Sequence, residues 1–435
     1  MQWELSSYVW FSYLCRSLKT PQNISNFKKK ALHWANQFDV CCLLDSNHYT
    51  DSYASYDFII AAGAKAELEC DAGNAFDNLK VFYENHKNWI FGFLSYDLKN
   101  EIEALQSHNI DKLQFPALYF FVPKHLIACK AGKLEVLMGN SAILTEINNF
   151  KLPEKSQATS IKLTQKISKA QYVEKVEMLK NHIIRGDIYE INFCQEFFAE
   201  NAEINPVETF ELLNEISPTP FAGYFKLRGN YVLSATPERF LCKRGSKLIS
   251  QPIKGTARRS TDFVEDQQIK LQLRNDIKEQ SENVMIVDLV RHDLTKSAAK
   301  GSVKVEELFG IYTFPQVHQM ISTISSQLDP SIHFIDAIKN AFPMGSMTGA
   351  PKIKAMELIE EYEETKRGIY SGSLGCISPD GDFDFNVVIR SILYNSLSNY
   401  LSFQVGGAIT YECDAKKEYD ECLLKASAIL QVLGA

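Results

Sequence analysis

No two of the ten cysteines form a C-x-x-C pair, so the usual mark of a structural zinc site is missing. Cys15, Cys41, Cys42, Cys70, Cys129, Cys194, Cys242, Cys376, Cys413 and Cys422 are scattered, as suits free thiols in a reducing compartment. No cysteine sits on a G-x-C-x-G elbow of the kind an activated nucleophile needs; Leu374-Gly375-Cys376-Ile377-Ser378 comes nearest and lacks the flanking pattern. A basic stripe is also missing. The net charge is -7, and Lys28-Lys29-Lys30, the one tight basic run, reads as a solvated face, which argues against a nucleic-acid partner. No apolar run is long enough to span a membrane and no basic-then-apolar leader opens the chain, so a cytoplasmic protein without a membrane partner is expected. Internal repeats and low-complexity tracts are absent. The stretch MGSMTGAPK carries two glycines and a lysine, but its second glycine is not followed by Lys-Ser/Thr, so it is not a phosphate loop.

What the chain does have is core material: 45% hydrophobic against 23% charged residues over 435 positions. Residues 1–150 alternate short apolar runs with polar turns, and WIFGFLSYDL and ALYFFVP read as strands. The polar stretch 150–167 reads as a connection to a second region, 168–435, both being parts of one compact unit. There SKAQYVEKVEMLKNHIIRGD reads as a helix from Ser168 to Gly186, and YEINFCQEFFAE as a strand. Two hairpins follow, turning at Gly229-Asn230 and at Gly245. Residues 261–294 read as one long helical region, PKIKAMELIEEYEE as a helix with Pro351 in its first turn, and AKKEYDECLLKASAILQVL as the closing helix. Strands and helices mix without a βαβ rhythm. The expected class is α+β, with antiparallel sheets flanked by helices.

Several residues could carry chemistry. Glu279/Glu282 and Glu418/Glu421 are i,i+3 pairs, each with both carboxylates on one helix face. Two such faces meeting would suit Mg²⁺, although acidic helix pairs are ordinarily solvated. Glu238 in SATPERF could act as a general acid or base, or simply pair with Arg239 or a nearby lysine. Arg390 interrupts the alternating strand NVVIRSIL, as a buried ion-pair partner or a carboxylate-binding fork would. Gly406-Gly407 leave bare backbone beside something or make a bulge. His318 reads as a structural histidine. Lys254 stands in QPIKGTARRS, a tight glycine-flanked setting that suits an amine held still and dehydrated to lower its pKa.

Taken in order, SATPERF, PIKGT, EQSENVMIVDLVRHDL, FPMGSMTGAPK, RGIYSG, VVIRSI, VGGAIT and EYDECLLKA resemble the chorismate-utilising enzymes over residues 168–433. More loosely, LLDS resembles the LLES element shaping the tryptophan pocket of the aminating members, with Asp45 in place of glutamate, and GFLSYD resembles their glycine-tyrosine strand. The resemblance implies two packed antiparallel β-sheets with helices outside, as in anthranilate synthase component I. It implies Mg²⁺ held by Glu282 and Glu421, directly or through water, with Glu279 and Glu418 alongside, clamping the ring carboxylate of chorismate. It places substrate contacts at Gly255, Thr256, Thr348, Tyr370, Arg390, Gly406, Gly407, Ala408 and Lys425, and at Glu238 the acid that helps the 4-hydroxyl leave.

Within the family, PIKGT resembles the aminodeoxychorismate synthases, whereas anthranilate synthases carry an alanine at the position of Lys254. A lysine adding at C2 lets ammonia enter at C4 by two displacements. Members that add water at C2 resemble one another in a lysine base on the strand after the first helix, and aminating members more often carry glutamine there. This chain has Glu190. The expected function is therefore the aminating component I of aminodeoxychorismate synthase, on the folate route through 4-aminobenzoate. Its ammonia would come from a separate glutamine amidotransferase subunit. The alternative is anthranilate synthase component I.

Overall fold

A computed structural model describes residues 24–154 and 160–434, with nineteen strands and eleven α-helices among the described residues. Every strand pairing among them is antiparallel. The spine is a pair of long strands, Phe58–Cys70 and Leu118–Lys130, in register from Phe58↔Cys129 to Cys70↔Leu118. Two layers spread from it. One runs through Val40–Asp45, Ala222–Leu227, Asn230–Ser234, Ser391–Asn395 and Tyr400–Ile409 to Glu190–Ala199. The other runs through Ile90–Leu94, Ser373–Ile377, Phe383–Asn386, Arg239–Arg244 and Lys247–Gln251 to Val317–Gln327. Strands Ile253–Arg258 and Lys304–Thr313 flank this last strand. Strands of the first 150 residues are thus threaded into the same ladders as strands beyond residue 222.

Strand alternation builds two cores. Val40 and Cys42 join a core containing Phe93, Phe225 and Phe385, while Cys41 and Leu43 point into one containing Tyr172, Phe193 and Phe403. The second is capped by helices. Lys169–Arg185 starts at a Ser168/Gln171 capping box and ends at Gly186 in the left-handed region, φ 82°.

Two expected elements differ in detail. The first hairpin turns at Arg228-Gly229, because Leu227 pairs with Asn230, with Arg228 at φ 53°. The long helical region is two helices, Phe263–Asn275 and Ile277–Thr295. Asp276 ends the first and caps the second, its carboxylate accepting from Glu279 N at 3.1 Å.

At 235–238 and at 387–390 the chain passes directly from a strand of one layer to a strand of the other, and these two crossings bond to each other. Ala235 N donates to Arg390 O (3.2 Å) and Val387 N to Glu238 O (3.0 Å). Glu238 and Arg390 therefore lie side by side at the same seam. Arg390 sits in the break between two strands at φ 50°, not inside one strand as its sequence suggested.

Candidate active site

A cleft of about 840 Å³ opens at this seam. Its walls are the Ile253–Arg258 and Tyr400–Ile409 strands, the two crossings, and the first turns of helices Ile277–Thr295 and Ala415–Leu433. Thirteen of the fifteen residues singled out in the sequence line it. Thr348 does not. It is fully buried behind the wall, its hydroxyl facing the carbonyls of Met344 and Gly345, while Ser346 and Met347 take the surface. Gly407 is set back too, although a Cβ there would come within 3.1 Å of Glu418 Oε2.

Lys254 owes its aim to a β-bulge. Pairing with Val317–Gln327 is in step at Ile253↔Ile321 and again at Thr256↔Gln319, with a shift between them. Gly255 takes φ 94°, and a Cβ on it would lie 3.1 Å from Glu279 Oε2 and 3.2 Å from Met320 Cβ. The bulge turns Lys254 into the cleft, where it is only 8% exposed. Its Nζ is bonded to Glu190 Oε1. Burial pulls the amine down, but the carboxylates of Glu190 and Glu282 more than offset it, and the amine ends above the ordinary lysine range. This corrects the expectation of a lowered pKa: here Lys254 is a cation in an ion pair.

Glu238 is buried and makes no ion pair with Arg239, which turns the other way to Asp384 and Asp51. Burial pushes the Glu238 carboxyl up to about 7, partly offset by the nearby Ser346 hydroxyl, Lys254 and Arg390. A carboxylic acid poised there can donate a proton at neutral pH. Burial pulls the Arg390 guanidinium down to about 10, still cationic at neutral pH. Tyr370 lines the cleft with its hydroxyl 3.4 Å from Cys194 Sγ. Lys425 Nζ donates to Gly406 O (3.1 Å) and pairs with Glu421 (2.8 Å).

The acidic pairs face each other from two helix N-termini, capped by Asp276 and Asp414. Burial, then Glu282, raises Glu279 to about 7; burial, then Glu421, raises Glu418 to about 7. Glu282 is also raised, mainly by burial, while Lys425 holds Glu421 below its usual range. The Lys278 ammonium bridges the helices, 3.5 Å from Glu282 and 3.6 Å from Glu418. Among the described residues no three acidic, histidine or cysteine groups converge closely enough to hold an ion by themselves. The donor chemistry nevertheless fits Mg²⁺, which takes hard carboxylate oxygens and keeps several ligand places for water and substrate. A bridging ammonium and two carboxyls driven toward neutrality mark a site short of positive charge.

Asn192 lines the wall from strand Glu190–Ala199, Gln404 comes from its neighbour, and Glu190 is buried behind the wall, bonded to Lys254. Their signal was the polar alternation in YEINFCQ, readable as a lining face only once the strand is known to border a cleft. Lys278 was adjacent to a predicted carboxylate and follows from i,i+4 spacing to Glu282. His318 lies outside the cleft, buried between Asp266 and Thr313. Leu44, Asp45 and Ser46 line a separate cavity of about 790 Å³, where Asp45 is bound by Lys28 and by Asn47 N–H.

Comparison with known proteins agrees with this geometry. A family model described as chorismate binding enzyme matches residues 39–431. The chain belongs to the chorismate-binding enzymes. Aminodeoxychorismate synthase component 1 of Escherichia coli is 38% identical over 267 residues, covering 61% of this chain and 58% of that protein. The anthranilate synthase component I-like protein of Synechocystis sp. is 32% identical over 371 residues, covering 83% and 75%. Aminodeoxychorismate synthase component 1 of Bacillus subtilis is 30% identical over 365 residues, covering 79% and 76%. Anthranilate synthase component I from Streptococcus pneumoniae superposes with a TM-score of 0.76 at 24% identity, covering 88% of this chain and 93% of that one. The menaquinone-specific isochorismate synthase from Escherichia coli superposes with 0.75 at 18%, covering 93% and 91%. The α+β architecture of two packed antiparallel sheets is thus that of the anthranilate and isochorismate synthases. No described helix is long and apolar enough to cross a membrane.

Proposed function

We propose that this chorismate-utilising enzyme is the aminating component I of an aminodeoxychorismate synthase. The observation that carries the reading is Lys254, projected by its bulge into the cleft between Glu238 on one side and the acidic helices on the other. Arg390 and Lys425 supply cationic contacts for a dicarboxylate substrate. Glu282 and Glu421, with Glu279 and Glu418 alongside, would hold Mg²⁺, whose charge balances a substrate carboxylate. Glu238 gives its proton to the departing 4-hydroxyl. The neutral Lys254 amine forms a bond to C2 as the two conjugated ring double bonds shift round the ring and the C4–O bond breaks, releasing water. Ammonia then bonds to C4, both double bonds shift back, the C2–N bond breaks, and Glu238 recovers a proton from the new ammonium group.

Ammonia has to be supplied to this cleft. Burial pushes the thiols of Cys41, Cys129, Cys194, Cys242 and Cys376 up to about 12 and Cys422 to about 11, so none of these is an activated nucleophile. Cys42, Cys70 and Cys413 are raised as well, again chiefly by burial. The purified chain should turn over chorismate with ammonium at alkaline pH and not with glutamine, until an amidotransferase subunit is added.

The covalent step is tested by acid-quenching the enzyme during turnover and measuring intact mass. The reading expects an added chorismate-derived mass on the wild type and none on Lys254→Ala. A wild type that never carries the mass, with Lys254→Ala keeping rate and product, would leave Lys254 a substrate contact. Amination at C2, as the anthranilate synthases among its relatives are named for, would then be favoured.

A further inference from the structure

Glu190 is the one buried acid in contact with the nucleophile that the scheme above does not use. It is 0% exposed, at the first position of strand Glu190–Ala199. Its Oε1 accepts from Lys254 Nζ, and its Oε2 has no hydrogen-bond partner among the described residues. Both sides of the contact are fixed by backbone. Lys254 is set by the bulge. Glu190 is set by pairing with Ala350, where Gly349 runs so close that a Cβ would stand 2.3 Å from Glu190 O. A carboxylate is not placed so deep, with one oxygen left unpaired, for stability alone.

An ammonium has no lone pair with which to attack carbon. The groups facing Lys254 are Glu190, Glu238, Glu282, Glu421 and Lys425. Glu238 must keep its proton for the leaving hydroxyl, Lys425 is itself a cation, and Glu282 and Glu421 belong to the acidic helices. Among the described residues, only Glu190 is hydrogen-bonded to Nζ.

We propose that Glu190 is the general base that takes the proton from Lys254 and so makes it a nucleophile toward the ring carbon. The inference rests on the covalent reading. A proton passes from Nζ to the Glu190 carboxylate, and the freed lone pair forms the C2–N bond while the C4–O bond breaks. When ammonia expels the lysine as a neutral amine, Glu190 returns the proton. No other reactant is needed.

Glu190→Gln keeps the size and an acceptor oxygen but cannot hold the proton. The rate of Lys254 adduct formation, read by rapid quench and intact mass between pH 6 and 9, should fall about 100-fold or more near pH 7. The variant-to-wild-type ratio should climb about tenfold per pH unit, because solvent must now take the proton. A counter-ion with no chemical role would leave that ratio flat. Glu190→Ala gives an independent test: formate, small enough for the vacated space, should restore adduct formation along a saturable curve. A pH-independent ratio near one, or a folded Glu190→Ala indifferent to formate, would overturn the assignment while leaving the covalent reading intact. Absence of any adduct in the wild type would overturn both.

Discussion

Replacing Lys254 by alanine should destabilise the protein as well as silence it. The side chain is 8% exposed and its partner Glu190 is fully buried, so the substitution strands a carboxylate inside the fold. It also removes the cation that lowers Glu238, Glu282 and Glu421. Breaking a buried pair on one side costs about 3–5 kcal/mol. With an unfolding entropy of about 2.1 cal/mol/K per residue over 435 residues, roughly 0.9 kcal/mol/K in all, that is a Tm drop of about 3–6 °C. Thermal melts followed by circular dichroism at pH 7, without chorismate, measure it. The double variant Lys254→Met/Glu190→Gln removes both charges and should recover most of the loss while remaining inactive. If Lys254→Ala melts with the wild type, or if the double variant is no more stable than the single one, the pair is not the buried ion pair described above.

The acidic helices make a second prediction. Glu279 and Glu418 are held near 7, well above their unfolded range, so the stability they contribute is complete at acid pH and is lost as pH rises through about 7. Mg²⁺ should therefore raise Tm most at pH 8, and Glu282→Gln or Glu421→Gln should abolish both that rise and Mg²⁺-dependent turnover in a folded protein. Glu238 works as an acid while protonated, so kcat/KM should decline above about pH 7, and Glu238→Gln should lose about 10²–10⁴-fold in rate together with that limb. Gly255→Ala forces a side chain into φ 94° beside Glu279 and should cost about 1–2 kcal/mol in a urea titration, with weaker turnover from a displaced Lys254.

Local rules explain what was legible in the sequence. The Ser168 cap, the Gly186 stop, the Gly245 turn and the i,i+3 carboxylates are all set by neighbours a few residues apart, and the structure shows each of them. The resemblance of the motifs carried most of the cleft. What escaped depends on distant partners. The Lys254 amine lies above its ordinary range because Glu190 arrives from 64 residues away. Arg390 reads as a strand residue until the crossing at 387–390 is seen to change layers. Thr348 belongs to the right motif, yet its hydroxyl is spent on the preceding turn. Asp276 is one polar residue in a helical stretch, and only its hydrogen bond to Glu279 N reveals a cap instead of a helix interior.

The central claim is that nitrogen enters the ring at C4 by way of Lys254. Single-turnover product identification tests it most directly. Enzyme in excess is mixed with chorismate, Mg²⁺ and ammonium, and the products are separated with and without an added lyase that removes pyruvate. The expected result is a non-aromatic amino product that becomes 4-aminobenzoate only when the lyase is present. Anthranilate fluorescence appearing from the chain alone would contradict it.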